Sequence, residues 1–206
     1  MSAPATDHPS GAAPRRGRPG YDRAQVLEVA VALFNEQGYD ATSVADLAAR
    51  LGLTKSALYH HFDSKEQLLA LALDEALSGL EGVLAEPAGP GGSPAERLDA
   101  VLRGAVLVLV DRLPYVTLLL RVRGNSDVER AALERRRQFD HRVAGLGADA
   151  QAAGQVRDDI DGAVATRLLF GMVNSIIEWY RPGGATSRDR LAQDVARVAL
   201  DGMRTR

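Results

Sequence analysis

"TSVADLAARLGLTKSALYHHF", residues 42–62, decides the fold. After Ser43, the apolar residues Leu47, Ala48 and Leu51 mark one face of a short helix over 43–51, and Gly52 closes it. A second segment starts at Thr54 and runs to about Phe62, with Leu58 and Phe62 turned inward. Two short helices joined across a tight glycine turn predict a helix-turn-helix. The inward turn leaves Thr54, Lys55, Ser56, Tyr59, His60 and His61 outside. These are phosphate and base-edge donors on a helix that fits a major groove.

Other chemistry at this stretch is eliminated in turn. His60 and His61 are adjacent, so they diverge by about 100° on a helix and cannot chelate one ion as an i, i+4 pair could. No metal or cofactor site is expected. No Ser/His/Asp set, paired carboxylates or phosphate loop is organised around these residues, so no catalytic residues are assigned. The only lysines of the chain, Lys55 and Lys65, flank the outer helix, and every other basic side chain is arginine. A flexible point charge at each edge suits a phosphate.

Outward from this stretch the pattern stays helical. Val26, Val29, Ala30, Leu33 and Phe34 recur at helical spacing behind an Asp22–Gln25 cap, and Gly38 ends that segment. Ser64 with Gln67 forms a capping box for a helix over about 65–84. "EPAGPGGSP", residues 86–94, is a loop. Further helices are expected at about 94–112, 114–123, 127–147, 161–181 and 187–203, with Pro114 at a first helical position and Asp161 and Ser187 as N-caps. No segment alternates long enough for a strand. The fold class is all-α.

Composition sets the surroundings. With 46% hydrophobic and 25% charged residues in a 206-residue chain, a sizeable core can form. The absence of cysteine removes disulfides and thiolate chemistry. No uncharged apolar run is long enough for a membrane span, and Pro and Gly stand where a signal peptide would be apolar, so a cytoplasmic protein without membrane contact is expected. A net charge of -2 argues against coating DNA non-specifically, so any basic site is local. Residues 1–65 hold seven basic and seven acidic side chains, which leaves affinity to placement and to two copies acting together. Residues 1–20, rich in Pro and Gly and ending in Arg15, Arg16 and Arg18, read as a disordered basic arm.

"VLEVAVALFNEQGYDATSVADLAARLGLTKSALYHHFDSKEQLLALAL", residues 26–73, resembles the DNA-binding region of the TetR/AcrR family of transcriptional regulators. The likeness rests on the apolar first helix ending in Phe34 and Gly38, the Ala41-Thr42-Ser43 entry, and Leu58-Tyr59-x-His61-Phe62 followed by Ser64-Lys65-Glu66. It implies an N-terminal three-helix reader over 21–67 and a C-terminal ligand-binding and dimerisation domain over 68–206. On this reading Thr42, Ser43, Thr54, Lys55, Ser56, Tyr59, His60, His61 and Lys65 contact double-stranded operator DNA. A ligand-responsive regulator, a repressor before an activator, is expected, and an all-α enzyme has no catalytic constellation behind it.

The C-terminal part divides by polarity. Residues 161–181 are apolar nearly all round, which predicts core on one side and a partner subunit on the other, with 187–203 as a second dimer helix. Leu168, Gly171, Met172, Ser175, Leu191, Val195 and Val198 are the expected interface of a homodimer. Tyr115, Arg121, Phe139, Phe170, Asn174 and Trp179 are expected to surround a small-molecule pocket. "EWYRPGG", residues 178–184, is similar to a segment of family members that answer to acyl-coenzyme A thioesters. Such a ligand needs an apolar tunnel, for which Leu118, Leu119, Phe170, Met172 and Ile176 are available, and cationic donors such as Arg121, Arg123 or Arg135 to Arg137.

Overall fold

The computed structural model describes residues 21–85 and 91–203, so the basic arm and most of the 86–94 loop lie outside the described residues. Among the described residues there are nine helices and no strand: α1 Arg23–Gln37, α2 Val44–Leu51, α3 Lys55–Tyr59, α4 Lys65–Ala85, α5 Pro94–Asp111, α6 Leu113–Arg121, α7 Asp127–Ala152, α8 Gly162–Trp179 and α9 Arg188–Asp201.

Local chemistry sets the boundaries. Asp22 and Gln25 cap α1 reciprocally, at 2.8 and 3.0 Å, and Ser43 with Asp46 does the same for α2. Gly52 adopts φ +64, which lets the chain reverse into Thr54, whose hydroxyl accepts from the Ala57 amide at 3.1 Å. Before α4 the cap is displaced by one residue: Ser64 accepts from the Gln67 amide, but the Gln67 carboxamide reaches back to Asp63.

Several helix ends differ from the periodic reading, those of α3, α7 and α8 with a clear physical reason. α3 ends at Tyr59, with His60 and His61 in the following turn, because Phe62 must swing into the core before α4 begins. α7 continues past Gly145 and Gly147 to Ala152, where Ala150 is fully buried against Val156, Ala165 and Met203. Tertiary burial overrides the low helix propensity of glycine there. α8 stops at Trp179, with Tyr180 extended and Arg181 preceding a proline that disfavours helical backbone.

One apolar core joins the two ends of the molecule. Val26, Phe34, Leu47, Leu58 and Phe62 of the N-terminal helices belong to the same cluster as Leu69, Leu73, Val116, Leu119, Val173 and Ile176. The expected boundary at residue 67 therefore falls inside the unbroken helix α4, and packing crosses it. α4 and α5 approach closely at Gly79 and Gly104, where a Cβ would lie 2.8 Å from Val108 Cγ1 and 2.6 Å from Val83 Cγ1.

Candidate nucleic-acid interface and cavity

Ser43, Thr54, Lys55, Ser56, Tyr59 and His60 are exposed around α3 and the start of α2, and His61 is half-buried. Tyr59 keeps 51% of its surface in solvent although it is a large aromatic, so packing does not explain its position. Ser43 and Thr54 serve as helix caps, which leaves their hydroxyls at the surface.

Two expected contacts are corrected. Thr42 is 1% exposed and its hydroxyl donates to the Gly38 carbonyl at 2.7 Å, so it braces the turn after α1 from inside. Lys65 donates to the carbonyl oxygens of Tyr39 and Thr42, each at 2.9 Å, and its ammonium lies 4.2 Å from the Tyr39 ring centre. It is half-buried and committed to protein, fastening the start of α4 to the α1–α2 turn. Lys55 is the lysine left on the surface.

The N-terminal helices are tied to the rest through α6. Arg121 donates to the Asn35 carbonyl at 2.7 Å, and Asn35 donates to the Pro114 carbonyl at 2.8 Å. The loop after α6 is held by the buried Glu129, whose Oε2 accepts from the amides of Arg123, Gly124 and Asn125 at 3.0, 2.7 and 3.0 Å. From that loop Asn125 reaches Asp40 at 3.3 Å.

The opposite face of α6 lines a cavity of about 600 Å³ between α4, α5, α7 and α8. Its floor is buried and apolar: Leu109, Val116, Leu119, Phe139 and Val173. Phe139 and Phe170 meet edge-to-face at 5.3 Å. Its rim is exposed and carries Arg137, which pairs with Glu134 at 2.8 Å, and His141 from α7, with Arg167 from α8. Between the two levels lie Arg136, Asp140 and Asn174, each half-buried. Burial raises the Asp140 carboxyl above its ordinary range, against the opposing pull of Arg136 and His141.

The cavity takes Phe139, Phe170 and Asn174 from the expected set and corrects the other three. Arg121 is spent on Asn35, Tyr115 packs half-buried against the main core, and Trp179 is 54% exposed. In the 178–184 segment, Arg181 donates to the carbonyls of Glu178 and Tyr180, which makes it a C-terminal cap of α8 outside the cavity wall. Arg135, the first of the arginine run, is held by Glu81 and Asp74 of α4, each at 2.8 Å. Asp140 and Arg167 were not identifiable from the sequence. On α7 the lining spacing 136, 137, 140, 141, 144 is that of one helical face, and its charges read as solvated surface.

A second surface runs along α8. Val164, Leu168 and Trp179 are 44, 65 and 54% exposed at helical spacing, with Gly171 and Ser175 between them, and Val198 of α9 is 66% exposed. Leu191 and Val195 of the expected interface are instead buried within the chain's own core, and Met172 is partly buried against it. No helix among the described residues is long and apolar enough to cross a membrane.

Comparison with known proteins agrees with this architecture. Residues 26–72 match the family described as bacterial regulatory proteins, tetR family, and residues 91–203 match the tetracyclin repressor-like C-terminal domain. The chain is 30% identical to the HTH-type transcriptional repressor KstR2 of Rhodococcus jostii, over 98% of each chain. A crystal structure of a TetR regulator from Streptomyces coelicolor A3 superposes with a TM-score of 0.82 at 52% identity, covering 87% of this chain and 91% of that one. AibR, solved in complex with isovaleryl coenzyme A and operator DNA, superposes with a TM-score of 0.70 at 26% identity, over 85 and 96% of the two chains.

Proposed function

Because this chain belongs to the TetR family of transcriptional regulators, and is a DNA-binding regulator rather than an enzyme, we propose that it is a repressor whose homodimer grips a palindromic operator until an acyl-CoA displaces it. The exposed residues Ser43, Thr54, Lys55, Ser56, Tyr59, His60 and His61 form the reading surface. The α8 stripe of Val164, Leu168, Gly171, Ser175 and Trp179, with Val198, is the dimer surface. Two heads on a two-fold axis bind tightly only when their separation matches half-sites about 34 to 36 Å apart or a multiple of that.

What supports an acyl-CoA is the layering of the cavity, in which an apolar floor large enough for an acyl chain lies beneath a rim that carries the guanidinium groups of Arg137 and Arg167 and the His141 imidazole. Phosphates are held by such donors while the acyl group leaves water. The related AibR carries isovaleryl coenzyme A. α6 carries the signal, since it borders the cavity on one face and grips Asn35 with the other. α4 is the second lever, because it starts beside the reader and holds Leu80 in the cavity wall. A ligand that prefers a wrongly spaced pair of heads releases DNA by the same coupling factor.

Calorimetric titration with a panel of acyl-CoAs, each against its free acid, tests the effector class. Thioesters are expected to bind with clear preference. Binding of the free acids as tightly as the thioesters would refute the proposal.

A further inference from the structure

Among the described residues that line the cavity, Asp140 is the one acid. Several acids elsewhere in the fold have partners: Glu81 is held by Arg135, Asp99 by Arg103, Asp111 by Arg188, and Glu129 by three amides. Among the described residues, no hydrogen bond or ion pair is made to the Asp140 carboxylate, on which Arg136 and His141 act only through charge at longer range. It is half-buried, at a level between the exposed Arg137, His141 and Arg167 and the buried floor of Leu119, Phe139 and Val173. On α7 the small Ala144 follows one turn later on the same face, which leaves the carboxylate room to be approached. A partly desolvated carboxylate gains when a ligand supplies it a donor.

We propose that Asp140 is the residue by which the cavity distinguishes a thioester from the corresponding free acid, accepting a hydrogen bond from an N–H of the ligand's arm and repelling a carboxylate placed at the same level. This rests on the acyl-CoA reading. An acyl-CoA with its chain on the floor and its phosphates at the rim carries amide N–H groups through the intermediate level. A free acid whose chain fills the same floor brings a second negative charge to that level, where the dielectric is low and like charges repel strongly. Burial already disfavours the Asp140 anion, so an incoming carboxylate compounds a cost that an N–H relieves.

The test titrates the full chain and its Asp140→Asn variant at neutral pH with decanoyl-CoA, decanoate and decanamide. Wild type is expected to favour decanoyl-CoA over decanoate, and decanamide over decanoate by about tenfold. Asp140→Asn should narrow the thioester-to-acid ratio by about tenfold, chiefly through tighter decanoate binding, since the carboxamide can donate to the acid. If wild type prefers the thioester and the variant keeps the same ratio, Asp140 is not the discriminator and the effector class stands. Equal binding of decanamide and decanoate by wild type overturns the assignment without reference to any variant. Equal binding of decanoyl-CoA and decanoate by wild type overturns the underlying effector class.

Discussion

Arg121 Nη1 lies 2.7 Å from the backbone carbonyl oxygen of Asn35, joining the helix that walls the cavity to the end of the first reader helix. Asn35 answers with its own donation to Pro114, at the other end of α6. The pair therefore grips α6 at both ends, and on the proposed mechanism this is the route by which a shift of α6 against a ligand reaches α1. Arg121→Met should leave ligand affinity of the DNA-free protein unchanged and reduce the ligand's effect on DNA binding by about 1 kcal/mol of coupling. Titrating DNA affinity against ligand checks this, and undiminished coupling would move the signal to α4 alone.

The two lysines should behave in opposite ways. Lys65→Met removes two charge-assisted bonds to Tyr39 and Thr42 and should cost about 2 kcal/mol of stability by denaturant melting. Lys55→Ala should leave stability unchanged and flatten the dependence of log affinity on log salt by about 1, as loss of one phosphate contact does. A salt slope that changes with Lys65 and not with Lys55 would reverse the assignment.

Leu168→Glu places a charge at the centre of the exposed α8 stripe, a site that is 65% exposed in the single chain and so tolerates the change there. Sedimentation should show a dimer for wild type and a monomer for the variant, with unaltered helix content. Operator affinity should fall at least about a hundredfold as the second head is lost. A dimer that survives the substitution would place the interface elsewhere.

The ion pair between Arg135 and Glu81 predicts a pH dependence. The guanidinium hydrogen bond depresses the Glu81 pKa below its ordinary value of 4.5. A depressed carboxyl contributes stability that is present above that value and lost as pH falls through the folded-state pKa. The stability difference between wild type and Arg135→Met should therefore be complete at neutral pH and shrink below about pH 4.5. Both side chains are about a third exposed or more, so the difference is small. A gap that widens on acidification would contradict the pairing.

The helical architecture was legible in the sequence because caps and apolar periodicity are local. Asp22, Ser43, Gly52 and Ser187 stand at or beside the ends they mark. Lys65 was misread because its flanking position suggested a phosphate, while its partners Tyr39 and Thr42 lie more than twenty residues away in sequence. Arg121 and Tyr115 were misassigned for a similar reason: periodicity places them on helices but does not say which neighbour each face meets. Leu191 and Val195 show the limit for apolar residues, since the same pattern serves a chain's own core and a partner's surface. Trp179 looked like a pocket aromatic and is a surface one. Asp140 was hidden by its charged neighbours, which on α7 resemble a solvated face.

An acyl-CoA should release the protein from its operator. Fluorescence anisotropy of labelled DNA taken from the region flanking the protein's own gene measures this directly, with decanoyl-CoA, decanoate and coenzyme A added in separate titrations. The expected result is tight binding in the absence of ligand and release by decanoyl-CoA, with neither decanoate nor coenzyme A alone effective at the same concentration. Retention of the DNA at saturating decanoyl-CoA, or release by decanoate as readily as by the thioester, would contradict it.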